Sequence, residues 1–167
     1  TKVFTTIEGG AIVCPDAKTK KRIDFLKNFG IADEVTVMAA GINGKMNEVQ
    51  AAFGLLQLQH VDKLIERRGQ IAQTYTKHLA SVPGIRIPTA LPDTRANHSY
   101  FPIFVGPEFP MSRDAVFERL KSRGIYARRY FYPLLSSMPM YRGLPSAAPE
   151  RLPHAVKAAN EVMCLPI

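Results

Sequence analysis

Residues 47–79 are the longest stretch of one periodicity in the chain, and they constrain its fold more than any other feature. Apolar side chains recur there at three- and four-residue steps: Val49, Ala52, Phe53 and Leu56, then Val61, Leu64 and Ile65, then Ala72, Tyr75 and Leu79. That spacing is one face of an α-helix. Asn47 reads as its N-cap and Gln50 as the returning half of a capping box, so the start is written locally. Pro83-Gly84 closes the far end. At ~1.5 Å rise per residue a continuous helix would be roughly 50 Å long, more than the ~30 Å a small domain needs. The expectation is one helix joining two bodies, bent near Gly69, because glycine costs about 1 kcal/mol against alanine in a helix interior. Residues 1–46, 47–82 and 83–167 are then the first body, the joining helix and a second body.

Around that helix the chain alternates. Residues 3–6 and 11–14 are β-prone runs separated by Ile7-Glu8-Gly9-Gly10, a hairpin or tight-turn signal. Residues 16–28 have helical spacing, with Ile23 and Leu26 inward and Lys18, Lys20, Lys21 and Arg22 as a solvated basic face. A short strand at 35–38 leads into the loop Ala40-Gly41-Ile42-Asn43-Gly44-Lys45-Met46, set before a helix N-terminus where free N–H groups favour an anion. Past the long helix, Pro83, Pro88 and Pro92 punctuate a boundary with a short strand at 85–87. Residues 98–105 are strand-like, and Pro102 within them argues for a sheet edge. Ser112 caps a helix over 113–123, with Val116, Phe117 and Leu120 inward and Gly124 just past the end. Residues 125–132 read as a second strand, and Pro153 opens a helix to residue 163. The second body is therefore a small α/β layer.

Of the 167 residues, 46% are hydrophobic and 22% charged, a globular composition. The sequence has no apolar run of about eighteen residues and no basic-then-apolar leader pattern, so a cytoplasmic protein is the expectation. Cys14 and Cys164 are isolated and no Cys or His pair has metal-ligand spacing, so both cysteines read as small core residues. The net charge of +8 attracts anions, whether nucleic acid, anionic lipid or phosphorylated small molecules, without choosing among them. The strand-like start at residue 1 and the stop three residues past a helix read as a piece cut from a longer protein.

Taken singly, the candidate residues have bland readings: Lys2 a solvated terminal lysine, Asn43 and Glu8-Gly9-Gly10 turn chemistry. The run Arg128-Arg129-Tyr130-Phe131-Tyr132 reads as an edge strand, a cation and aromatic platform for nucleic acid, or the wall of a sugar-nucleotide site. His60, His78, His98 and His154 have no partner at a meaningful interval. Taken in order they form a set. Lys2-Val3-Phe4-Thr5-Thr6-Ile7-Glu8-Gly9-Gly10, then Gly41-Ile42-Asn43-Gly44-Lys45-Met46-Asn47-Glu48-Val49-Gln50, then Gln57-Leu58 and Arg67-Arg68 resemble the DegT/DnrJ/StrS family of sugar aminotransferases along the whole chain.

The resemblance implies an α/β fold, the C-terminal part of an aspartate-aminotransferase-like (fold type I) pyridoxal phosphate enzyme. In it, residues 1–46 end the large cofactor-binding domain, 47–82 are a long interdomain helix and 83–167 a small α/β domain. It implies transfer of an amino group, commonly from L-glutamate, to a nucleotide-linked keto-sugar. Lys2 matches the family's Schiff-base lysine, which would also shuttle the proton between donor carbon and cofactor. Asn43 matches the asparagine that reaches the cofactor phosphate of the partner subunit, which makes a homodimer with shared active sites the expected assembly. Lys45 stands where relatives usually carry arginine, keeping charge but losing bidentate geometry. The segments at 98–103 and 127–134 look like the branch acting on nucleotide-linked keto-6-deoxyhexoses, which puts Lys45, Arg129, Tyr130 and Tyr132 towards the sugar nucleotide. Leu135-Ser136 replaces a histidine found in many relatives, and no role carries over there. The family's ring aspartate, stacking aromatic and phosphate-binding serine precede the lysine, so these residues alone are expected to be inactive. The rival expectations are a catalytically silent relative and a basic nucleic-acid-binding module using residues 18–22 and 128–132; the first reading involves neither nucleic acid nor membrane.

Overall fold

The computed structural model describes residues 2–167; Thr1, first residue of the strand-like run, lies outside the described residues. They form two compact units, residues 2–62 and 63–167.

In the first unit, α1 (Ala17–Leu26) starts where Asp16 accepts the Thr19 N–H at 2.7 Å and the Thr19 hydroxyl at 3.0 Å. The runs at 3–6 and 11–14, expected as strands, are extended or bent segments without a ladder. The physical reason is local competition: the Thr5 hydroxyl accepts the Ile7 N–H at 3.1 Å, the Thr6 hydroxyl bonds the Glu8 carbonyl at 3.3 Å, and Ile7 turns to φ 70°. Residues 35–38 likewise make a single bridge, Ile31 with Val37, because the Asp33 carboxylate captures the Val35 and Thr36 N–H groups in a turn. The chain then enters α2 (Glu48–Leu58) through a complete Asn47–Gln50 capping box.

The expected single helix is two. α2 stops at Leu58, the next turn closes with Gln59 N–H on the Leu56 carbonyl and His60 N–H on the Gln57 carbonyl, and α3 (Val61–Leu79) begins afresh. The break falls at Gln59–His60, with Gly69 inside α3. No glycine or proline marks it. Tertiary packing supplies most helical stability, and each helix packs on its own unit: α2 on residues 4–6 and α3 on the sheet described next.

The second unit holds a three-stranded antiparallel sheet in the order β1 (Ile85–Arg86), β2 (Phe101–Val105), β3 (Val162–Leu165). β2 is thus central, where Pro102 argued for an edge. The register explains the tolerance. Pro102 faces Cys164, whose own N–H and carbonyl are exchanged with Arg128 on the other side of β3. The 102–164 pair is therefore a non-hydrogen-bonded one, and the Pro102 nitrogen points towards β1, which has already ended. α4 (Arg113–Lys121) is capped by the Ser112 hydroxyl accepting the Ala115 N–H at 3.2 Å, and Gly124 follows at φ 76°. α5 (Pro153–Glu161) ends two residues earlier than its expected limit, so Met163 lies in β3, fully buried. Of the strand expected at 125–132 only the Arg128 to Cys164 bridge forms.

The core of this unit is Ala72 of α3, Phe101, Ile103 and Val105 of β2, Ala127 and Met163, with Val116, Phe117 and Leu120 of α4 packed against it. Tyr75 fixes α3 to the sheet: its ring lies 5.0 Å from Phe101 and its hydroxyl donates to the Pro166 carbonyl at 2.9 Å. Cys164 is buried as expected, whereas Cys14 is half-buried. No helix among the described residues is long and apolar enough to cross a membrane, and no cluster of His, Cys, Asp and Glu among them could hold a metal ion.

Candidate active site

Lys2 lies on an open cavity of about 730 Å³ within the first unit, walled by residues 4–11 and by the Ala51, Gly54, Leu55 and Leu58 face of α2. Two features hold that wall. Gln50, besides capping α2, donates its amide Nε2–H to the Glu8 carbonyl at 2.6 Å. Gly54 lets the helix approach the segment: a Cβ there would sit 2.8 Å from Thr6 Cγ2. Lys2 itself is exposed.

Asn43 and Lys45 share the loop at 40–46, which lies along the end of α1. Ile42 N–H donates to the Leu26 carbonyl and Gly44 N–H to the Lys27 carbonyl, both at 2.8 Å, and Asn28 bridges Asn43. Gly41 is obligatory here, since a methyl group would overlap the Gly30 amide and the Leu26 carbonyl. The Asn43 residue is exposed, while Lys45 turns back, its ammonium 2.7 Å from Asn28 Oδ1 and 5.4 Å from the centre of the Phe29 ring. At the α2 N-terminus the Asn47 side chain already takes the Gln50 N–H at 2.9 Å.

In the second unit, Arg129, Tyr130 and Tyr132 share a segment but diverge. Arg129 Nη1 donates to Asp114 Oδ1 at 3.0 Å, with its guanidinium 4.5 Å from the Phe117 ring centre. Tyr130 stacks on Phe131 at 4.8 Å and meets Tyr100 edge-on at 5.6 Å, and the Arg128 guanidinium bonds its hydroxyl. Tyr132 lies under the guanidinium of Arg113, 4.9 Å away. The Arg129 hydrogen bond, reinforced by the charge of Arg113, holds the Asp114 carboxyl below the usual carboxylate range. Arg128 faces a separate cavity of about 190 Å³ with Arg68, Ser99 and Tyr100; Arg68 donates to the His98 carbonyl at 3.2 Å.

Sequence reasoning missed Arg113, Asp114 and the second role of Gln50. An acid in the first turn of a helix is ordinary dipole chemistry, which concealed Asp114 as a partner for Arg129. Nothing in the sequence linked Gln50 to Glu8.

Lys2 and the Glu8-Gly9-Gly10 turn thus border one cavity in the first unit, and the second unit is a small antiparallel sheet with its helices. The sequence model of the DegT/DnrJ/EryC1/StrS aminotransferase family matches residues 1–167, and the chain belongs to that family. Its architecture is that of the C-terminal portion of a fold type I aminotransferase.

Among particular relatives, a dTDP-4-amino-4,6-dideoxy-D-glucose transaminase of Escherichia coli is 57% identical over 166 residues, 99% of this chain and 45% of that protein. An enzyme with the same name from Shigella dysenteriae is 45% identical over 100% of the chain and 45% of its own length. The crystal structure of DesI in the presence of its TDP-sugar product superposes with a TM-score of 0.87 at 36% identity, covering 100% of this chain and 42% of that one. The chain therefore spans about half the length of the curated relatives it matches.

Proposed function

We propose that the protein is a pyridoxal-phosphate-dependent transaminase that moves an amino group from L-glutamate to a dTDP-linked 4-keto-6-deoxyhexose. The observation that carries this is the 57% identity, over nearly the whole chain, to a dTDP-4-amino-4,6-dideoxy-D-glucose transaminase. The residues present suit the cofactor. Lys2 borders a cavity of about 730 Å³, within the ~300–1,000 Å³ usual for small-molecule sites, and its near walls include Thr5, Thr6, Gly9 and Gly10, which leave room for a ring.

Pyridoxal phosphate, when bound, supplies the electron sink that makes a carbon–hydrogen bond next to nitrogen acidic. Lys2 is the amine that would hold the cofactor, and its Nζ would take the proton from the α-carbon of the amino donor. Asn43 serves the cofactor phosphate in the other subunit of a homodimer, and Lys45 on the same loop offers its charge to the sugar nucleotide. The segment with Arg129, Tyr130 and Tyr132 meets the sugar nucleotide. Activity in this reading belongs to the full-length cytoplasmic protein and not to residues 1–167 alone.

The test incubates purified full-length protein with L-glutamate and dTDP-linked 4-keto-6-deoxyglucose or its 3-keto isomer, following products by mass spectrometry. The expected result is a 4-amino sugar nucleotide with an equivalent of 2-oxoglutarate from the 4-keto substrate. Amination of the 3-keto isomer alone, or of neither, contradicts the proposal.

A further inference from the structure

Arg128 and Arg129 are adjacent, but Arg128 bonds the Tyr130 hydroxyl and lines the cavity of about 190 Å³ with Arg68, whereas Arg129 does not reach that cavity. Arg129 is tied down: Asp114 Oδ1 accepts from it at 3.0 Å, and the Phe117 and Tyr132 rings flank its guanidinium at 4.5 and 6.0 Å. The same Asp114 oxygen accepts from Arg113 Nε at 2.8 Å. Arg113 is 4% exposed, and its Nη1 donates to the Ala159 and Val162 carbonyls at the end of α5, at 3.0 and 2.8 Å, with Tyr132 against its face. A buried guanidinium needs such partners, and the negative end of a helix dipole is a good one. One carboxylate thus couples a guanidinium anchored in the packed interior to the segment at 129–132, gripping it on either side of Tyr130.

We propose that Asp114 is a positioning residue: it holds Arg129 directly and Tyr132 by way of buried Arg113, and so fixes the segment from which Arg128 and Tyr130 meet the phosphorylated substrate. Arg129 is then held within the substrate-facing segment, and Arg128, which lines the cavity of about 190 Å³ with Arg68, is a further cation for the substrate phosphates. This rests on the sugar-nucleotide reading above as regards the substrate, though not as regards the anchor.

Asp114 has a side chain 56% exposed, so Asp114→Asn keeps the shape and opens no cavity. Trypsin reads the anchor without reference to activity. Cleavage after Arg128 and Arg129 is timed by mass spectrometry, with cleavage after Lys121 and Arg123 as the internal reference. Loss of a carboxylate bridge of this exposure is expected to speed the first pair about fivefold and to leave the reference unchanged, with Asp114→Glu restoring the wild-type pattern. In the full-length enzyme the same variant is expected to raise KM for the nucleotide sugar about fivefold with kcat within about twofold, again rescued by Asp114→Glu.

Unchanged cleavage in Asp114→Asn overturns the anchor. Faster cleavage with an unchanged KM, or with a fall in kcat as large as the rise in KM and not rescued by glutamate, overturns the positioning role. A wild-type enzyme that aminates no sugar nucleotide sinks the functional reading, and the proteolysis then decides the anchor alone.

Discussion

Gly54 has no side chain because Thr6 occupies the place where one would stand. The sequence shows only the cost, a glycine inside a helix; the reason lies in a segment far away in the chain that no periodicity connects to it. Gly54→Val is expected to destabilise the protein by about 1–3 kcal/mol, the usual range for overpacking, in urea unfolding, and Thr6→Gly in the same chain to recover part of that loss. Equal effects with and without Thr6 would show that the two do not touch. Lys2 is the opposite case. The role proposed for it rests on its neighbours in sequence, since an exposed lysine by itself carries no message. Arg129 was singled out in the sequence, but its partner was not, because Asp114 already had a sufficient local explanation at the start of α4.

At the scale of elements, what the sequence wrote locally was found where it was written. The caps read at Asn47 and Ser112 accept from the third residue on in each case, and Asp16, not singled out in the sequence, does the same for α1. What depended on partners elsewhere was misread: the runs at 3–6 and 11–14 have strand composition but no ladder, and Pro102 sits in a central strand because its missing N–H falls beyond the end of β1. The helix break at Gln59–His60 was invisible for the same reason, since two packing surfaces set it rather than a breaking residue. Asn47→Ala is expected to cost α2 about 1 kcal/mol. Gln50→Ala removes the other half of the cap and also the bond to the Glu8 carbonyl. It is therefore expected to cost more than Asn47→Ala, and to speed amide exchange across residues 7–10, where Asn47→Ala does not. Equal exchange in the two variants would remove Gln50 as the tie between α2 and the turn.

On the scale of the whole molecule the two units differ in how much they bury. The second has a continuous core from Ala72 to Met163. In the first, Val3 is the buried large hydrophobic among the described residues, while Val13 at 95%, Val35 at 89% and Leu55 at 66% stand exposed. A homodimer with shared sites is the assembly proposed above, and exposed apolar residues of this kind are what it would cover. A complementation experiment follows. Lys2→Ala and Asn43→Ala full-length proteins, each with little activity, are mixed under conditions that exchange subunits. One site of each mixed dimer then has both residues intact, so about a quarter of wild-type activity is expected to return at full exchange, when half the dimers are mixed. No recovery despite proven exchange would place Lys2 and Asn43 in the same subunit's site.

The central claim is that one amine near the start of this sequence carries the cofactor, and it can be read directly. Full-length protein loaded with pyridoxal phosphate is reduced with borohydride, digested, and the peptides are weighed. A pyridoxyl group on Lys2 is the expected result, with the yellow absorbance lost on reduction and absent from Lys2→Ala. A pyridoxyl group on another lysine, or none on any peptide, would contradict the account.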